Sequence, residues 1–414
     1  MKVPATLAAF AGYGVELEYM IVDRDTLSVL PIADELLRQA AGDYVAEVSR
    51  GTIAWSNELV LHLVELKNAQ PSSDLAGLLA AFPSEIKAIN QVLAPMGARL
   101  MPSAMHPWMD PRSETRLWPH AYADIYQTYH RIFDCNRHGW ANLQSMHLNL
   151  PFANDTEFAR LHAAIRLVLP VIPALAASSP IVEGKYSGFL DFRMESYRTH
   201  EIKVPSLLGR VIPDTVASRA EYEARIFSSM YRGIAPYDPD GVLQHEWLNA
   251  RGVIPRFERD ALEIRVIDLQ ECPQADLAIA AAIVAVVKAL YDVQWASLAA
   301  QQVFDTESLV EILLATVRDA ELAIIDNAAY LRLLGYPGAR CEARELWRHL
   351  TESTWRDHPE QGTAWKNALD TISMQGTLAR RILRTVGSDF SRGHLQSVYL
   401  ELCDCLEEGR MFAD

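Results

Sequence analysis

The chain has 414 residues, of which 50% are apolar, 22% charged and 9% aromatic; this composition excludes a disordered chain and provides for a sizeable core. Its 38 Lys+Arg against 53 Asp+Glu leave a net charge of −15, which repels phosphate backbones and argues against a nucleic-acid partner, though not against nucleotides neutralised by magnesium. Cys135, Cys272, Cys341, Cys403 and Cys405 form no CxxC pairs, so they read as reduced packing thiols in a cytoplasmic protein.

The N-terminal MKVPATLAAFAGYG lacks the apolar core of a secretory signal. Tyr13–Asp23 then alternates like a strand, with Val15, Leu17 and Tyr19 opposing Glu16 and Glu18. A strand sends i and i+2 to one face, so the two carboxylates point together. Asn57–Lys67 is expected to be a second strand, leucine-rich and carrying Glu58 and Glu65. Ser72–Asp74 is expected to cap a helix towards Gln91, bent at Pro83, and Tyr122–Arg137 to form an amphipathic, aromatic-rich helix. Asn142–Phe152 is a third strand, with Met146, Leu148 and Leu150 opposing His147 and Asn149. Asn154–Thr156 opens a helix towards Pro170, and Ala217–Tyr231 is another. Ala261–Gln270 is a fourth strand, with Leu262, Ile264 and Val266 opposing Glu263 and Arg265.

From Asp276 onwards the pattern is helical. Leu277–Leu290 is too short to cross a bilayer, carries Lys288 and reads as a buried helix, so no membrane is expected. Further helices are expected at Glu307–Asp326, Arg340–Thr351, Gly376–Val386 and near the C-terminus. No Gly/Ser linker divides the chain. The expectation is α+β: residues 1–275 as the body carrying the chemistry, and residues 276–414 as a helical part packed on it.

Four strands thus place polar, mostly ionisable groups opposite aliphatic ones. An antiparallel sheet with one wet face accounts for this. So does a concave sheet whose polar face holds divalent cations, because five glutamates and one His form a hard-cation ligand set suited to Mg²⁺ or Mn²⁺. Parity limits the second reading: Glu58 and Glu65 are an odd step apart and share a site only if a bulge or turn intervenes. Arg193, Arg198, Arg251 and Arg265 are candidate grips for carboxylate or phosphate, whereas Arg256 and Arg259 are assigned to solvated surface. There is no GxxxxGK[ST] loop, no GxGxxG after a strand, no GxSxG elbow and no HExxH helix.

In order along the chain, GVELEYMIVD, SNELVLHLVELKNAQPSS, SMHLNLPF, LAASSPIVEGKYSGFLDFR, RFERDALEIRVIDLQ and QGTLARRI resemble the motifs of the glutamate–cysteine ligase type of carboxylate–amine ligases, related in fold to glutamine synthetase. The resemblance implies a curved antiparallel sheet forming a concave active site, with helices on its outer face. It implies an ATP-dependent ligase that phosphorylates the γ-carboxylate of glutamate and lets an amine attack the acyl phosphate. By the same resemblance, Glu16, His147 and Glu263 would hold the cation nearest the γ-phosphate, and Glu18, Glu58 and Glu65 the cation beside the acceptor carboxylate. Arg265 would steady the phosphoryl group with Arg251 assisting. Arg193, Arg198 and Asn149 would serve the substrate. Its partners would be small carboxylate and amine substrates, and a homodimer is common among similar proteins.

Three departures fall near the substrate pockets. Asn149 stands where many members have a second His, Asp191 stands where a Ser is usual, and THEIKVP replaces a glycine-containing segment. The other functions compatible with this sequence are a phosphotransferase of the guanidino-kinase type and a non-catalytic nucleotide- or amino-acid-binding protein.

Overall fold

The computed structural model describes residues 6–413 apart from 201–202 and 357–358. The start of the N-terminal segment and part of THEIKVP therefore lie outside the described residues. The sheet has eight antiparallel strands: β1 (Gly14–Asp23), β2 (Glu47–Ser49), β3 (Ile53–Asn57), β4 (Leu63–Asn68), β5 (Ala98–Met101), β6 (Ser145–Pro151), β7 (Val253–Arg256) and β8 (Ala261–Asp268). Their spatial order is β2-β3-β4-β1-β6-β8-β7, with β5 paired to the far end of β1.

Alternation decides which side chains face which way. Val15, Leu17, Tyr19 and Ile21 of β1, Leu148 of β6 and Ile264 of β8 enter the main core, where Phe82, Ile86, Phe158, Ile165 and Ile283 from the helices cover them. Pro273–Tyr291 has the length and apolarity of a membrane span, yet 78% of its apolar window is buried inside the protein. It is a core helix. The opposite face carries the acids. Beyond Glu18 on that face come Met20 and Val22, which pack on Leu378, Ile382, Tyr399 and Leu402 of the helices Leu378–Val386 and Arg392–Glu408. The helical C-terminal part thus caps one end of the acid-bearing face. All five cysteines are free and buried.

The expected second strand is in fact a hairpin. β3 ends at Asn57, residues 58–62 turn, and β4 begins at Leu63. Trp55 pairs with Leu66 and Ser56 with Glu65 across it. The continuous apolar run misled the sequence pattern, because a buried turn reads like a buried strand. The helix expected from Ser72 begins only at Ala81 and runs to Leu93; Pro83 sits in its first turn, where a missing N–H breaks no bond, so no bend is needed. The helix expected at Ala217–Tyr231 is split by a wider turn at Glu223–Phe227, and Arg340–Thr351 is realised as Ala343–Trp355. The helix at Asp155–Val168 opens as expected: Asn154 Oδ1 accepts from Glu157 N at 3.1 Å, and Glu157 reaches back to Ala153 N at 2.8 Å.

Candidate active site

The polar face of the sheet floors a cavity of about 520 Å³. Register brings its residues side by side. Glu18 lies opposite Glu65, Glu16 opposite both Lys67 and His147, and Glu263 opposite Asn149. In a sheet, opposite residues share a face and their Cβ atoms lie about 4.5–5.5 Å apart.

Two ligand groups emerge among the described residues. Glu18, Glu58 and Glu65 each offer an oxygen within 4.8 Å of the others, and so do Glu16, Glu65 and His147. The hairpin turn resolves the parity problem, since it lets Glu58 and Glu65 reach one place. Oxygen-rich sets with a single imidazole fit Mg²⁺ or Mn²⁺, and the absence of thiolate in these groups argues against structural zinc.

Hydrogen bonds hold these groups in place. Glu18 Oε2 accepts from Ser145 N at 2.8 Å and from Ser145 Oγ at 2.7 Å. His147 Nδ1 lies 3.0 Å from Glu16 Oε2, and Asn149 Nδ2 donates to Glu16 Oε1 at 3.1 Å. Ser56 Oγ donates to Glu65 Oε1 at 2.7 Å, and Lys67 Nζ stands 2.9 Å from the same oxygen. Burial opposes the charge on Glu16, but the His147 hydrogen bond, with the charges of His147 and Lys67, holds its carboxyl below the ordinary value. At Glu58 the charge of Lys67 gives only partial relief. Burial, then repulsion from Glu18 and Glu65, pushes its carboxyl well above the ordinary range. Burial disfavours the His147 cation, yet Glu18 and the Glu16 hydrogen bond raise its pKa. This concentration of acids is costly unless cations are present.

The far side of the floor is cationic. Arg256 Nη1 donates to Glu263 Oε2 at 2.8 Å, and Arg265 Nε lies 3.3 Å from Glu263 Oε1. Burial works against the Glu263 carboxylate, but Arg265, Arg256 and His147 outweigh it and lower its pKa. Glu263 Oε1 stands 4.0 Å from His147 Nδ1, so it adjoins the Glu16–Glu65–His147 group while engaged with two arginines.

Several sequence assignments change here. Arg256 and Arg259 were expected on solvated surface; both line the cavity. The signal missed was the β7–β8 hairpin, whose turn at 257–260 hides a strand ending at Arg256. Arg251 points the other way. It is buried, and its Nη1 donates to Ser206 O, Leu207 O and Asn249 Oδ1 at 3.1–3.2 Å. Arg198 forms a local pair with Glu195 at 2.5 Å and is not among the cavity-lining residues. Arg193 lines the cavity, but its guanidinium is engaged by Asp268. Ser145 and Lys67 went unnoticed although each stands two residues from a named ligand on the same face. The cavity wall also includes Tyr126, Tyr129, Trp140 and Trp247, from the aromatic-rich helix Ala123–Phe133 and from neighbouring segments.

The fold is similar to those of a bifunctional glutathione synthetase from Pasteurella multocida and of glutamate–cysteine ligase from Francisella tularensis solved in complex with AMP. The first has a TM-score of 0.63 at 15% identity, covering 97% of this chain and 52% of that one, so this chain spans about half its length. The second has a TM-score of 0.60 at 11% identity, covering 95% of this chain and 88% of that one. The chain belongs to glutamate–cysteine ligase family 2, whose family model matches residues 13–401. Relatives include an "Uncharacterized protein" of Archaeoglobus fulgidus, 32% identical over 399 residues, 96% of this chain and 99% of that one. A "Putative glutamate--cysteine ligase 2-3" of Rubrobacter xylanophilus is 27% identical over 274 residues, 65% of this chain and 66% of that one.

Proposed function

We propose that the protein is an ATP-dependent carboxylate–amine ligase, requiring Mg²⁺ or Mn²⁺, that joins an amine to a γ-carboxylate of the glutamate type. The observation that carries this reading is the convergence of Glu16, Glu18, Glu58, Glu65 and His147 with the Glu263–Arg256–Arg265 group on one sheet face, in a chain of this family. Divalent cations held by Glu16, Glu65 and His147 and by Glu18, Glu58 and Glu65 would supply the neutralising charge that lets a triphosphate and a carboxylate approach each other.

The chain's own groups then have distinct tasks. Arg265 and Arg256 stabilise charge on the transferring phosphoryl group as the acceptor carboxylate oxygen bonds to phosphorus and ADP leaves. Glu263 holds both arginines at that place. The amine nitrogen next attacks the carbonyl carbon, its C–N bond forming as inorganic phosphate leaves with the C–O electron pair, and the nitrogen gives up a proton. The aromatic wall keeps water from the acyl phosphate in the interval. Small carboxylates and amines are its partners, and the cytoplasm is its proposed place.

Incubation of the pure protein with ATP, Mg²⁺, glutamate and a panel of amino acids and amines tests this. ADP, phosphate and an amide are the expected products. A phosphorylated product without an amide would point to a phosphotransferase, tight ATP binding without turnover to a binding protein. Metal-dependent turnover without ATP would defeat the proposal.

A further inference from the structure

Strand β8 follows β6 in register from Ala261 opposite Pro151 to Ile264 opposite Leu148, and resumes with Ile267 opposite Met146 and Asp268 opposite Ser145. Arg265 and Val266 together therefore face His147. Two residues against one form a β-bulge, which bends a strand and re-aims its side chains. Regular alternation would put Glu263 and Asp268 on opposite faces. The bulge instead sets them beside Asn149 and Ser145, both on the cavity side.

A bulge leaves backbone groups without ladder partners, and buried ones must find others. Arg265 N continues the register with β7, donating to Gly252 O at 2.9 Å just ahead of that strand, so it is the carbonyl of Arg265 that needs another partner. That carbonyl accepts from Arg193 Nη1 and Nη2 at 3.4 and 3.3 Å. Arg193 is 2% exposed, and its Nε donates to Asp268 Oδ1 at 2.5 Å. Asp268 Oδ2 accepts from Ser178 N at 2.9 Å and Ser179 Oγ at 2.8 Å. Ser179 Oγ also accepts from Arg193 N at 3.0 Å. An arginine that grips a substrate carboxylate needs its fork free. Here all three guanidinium nitrogens are directed at protein acceptors.

We propose that Asp268 and Arg193 are positioning residues, a buried clamp on the β8 bulge that aims the Arg265 guanidinium into the cavity, so that Arg193 holds the strand and not the acceptor's α-carboxylate. What Arg265 does there rests on the ligase proposal; the clamp itself is a statement about geometry.

The full-length protein provides the test. A crystal structure of Asp268→Asn is expected to show the bulge relaxed and Arg265 withdrawn from Glu263. An unchanged bulge with Arg265 in place overturns the proposal, whatever the activity. In calorimetric titrations with a non-hydrolysable ATP analogue and Mn²⁺, Asp268→Asn and Arg265→Ala are each expected to weaken binding about tenfold, and the double variant no further. Losses that multiply overturn the proposal. In turnover assays, Arg193→Lys is expected to lower kcat while KM for the acceptor stays constant. A rise in KM alone returns Arg193 to the substrate and overturns it. Should Asp268→Asn fail to fold, Ser179→Ala keeps the ion pair and is expected to lose about threefold in nucleotide affinity, and wild-type affinity then counts against the clamp. Wild-type protein that binds no nucleotide defeats the ligase proposal, leaving the crystal structures of the variants to decide the clamp.

Discussion

Glu16 and Glu18 stand on the same face of β1 as Met20 and Val22, yet the two halves of that face meet different surroundings. At the open end, the acids border a cavity and their neighbours are Lys67, His147, Arg256 and Arg265. At the closed end, Met20 and Val22 are wholly buried under Leu378, Ile382, Tyr399 and Leu402. The closing helices are tied down by polar contacts: Arg381 pairs with Glu271 at 2.5 Å, both fully buried, and Arg99 with Asp404 at 2.8 Å. Histidines register the contrast. Burial depresses His62 to about 4 and His106 to about 3 near the closed end, each donating from Nε2 to a backbone carbonyl at 2.7 Å, whereas carboxylates raise His147 at the open end. A strand face acquires its chemistry from what covers it.

Substitutions can break or sharpen that contrast. Glu263→Gln removes the anion that holds two arginines at the open end; turnover is expected to fall about 10²–10³-fold while circular dichroism stays that of wild type. Rates like wild type in the coupled ADP assay would remove Glu263 from the mechanism. Met20→Glu moves the open end's chemistry into the apolar cluster of the closed end, where Arg381 and Arg99 are already paired with Glu271 and Asp404, and is expected to cost about 3–5 kcal/mol by urea denaturation. A loss under about 1 kcal/mol would mean the C-terminal helices do not seal that end.

Acidity probes the buried histidines. His62 falls from an ordinary 6.5 to about 4, so the unfolded chain binds its proton first. Its contribution is complete above about pH 6.5 and is lost as pH falls towards 4, amounting to about 3 kcal/mol, with His106 adding in the same direction. Denaturation curves at pH 7 and 4.5 check this, and His62→Asn should flatten the slope. The smallest effect is at Glu58. Glu58→Gln relieves repulsion from Glu18 and Glu65, so the metal-free protein is expected to gain about 1 kcal/mol while Mn²⁺ affinity drops; a lower melting temperature without metal would contradict the repulsion.

Much of the site could be read from the sequence because strands write their faces into it. Glu16, Glu18, His147 and Glu263 needed only period two, and Ser145 and Lys67 were within reach of the same rule. Three things were not legible. The turn at 58–62 is as apolar as a strand, so the β3–β4 hairpin was hidden. The bulge at Arg265 shifts parity and concealed Asp268. The arginines of one short stretch, Arg251, Arg256, Arg259 and Arg265, look alike in sequence but were dispersed by the β7–β8 hairpin, one to the interior and three to the cavity.

By itself the sequence determined the α+β class, the polar faces of four strands and the identity of most acids, since alternation and residue chemistry are local. Tertiary structure decided which acids share a cation, which arginines face them and which end of the sheet stays open. Those outcomes depend on register, one extra residue in β8 and helices packed from more than 350 residues away, which no local pattern records.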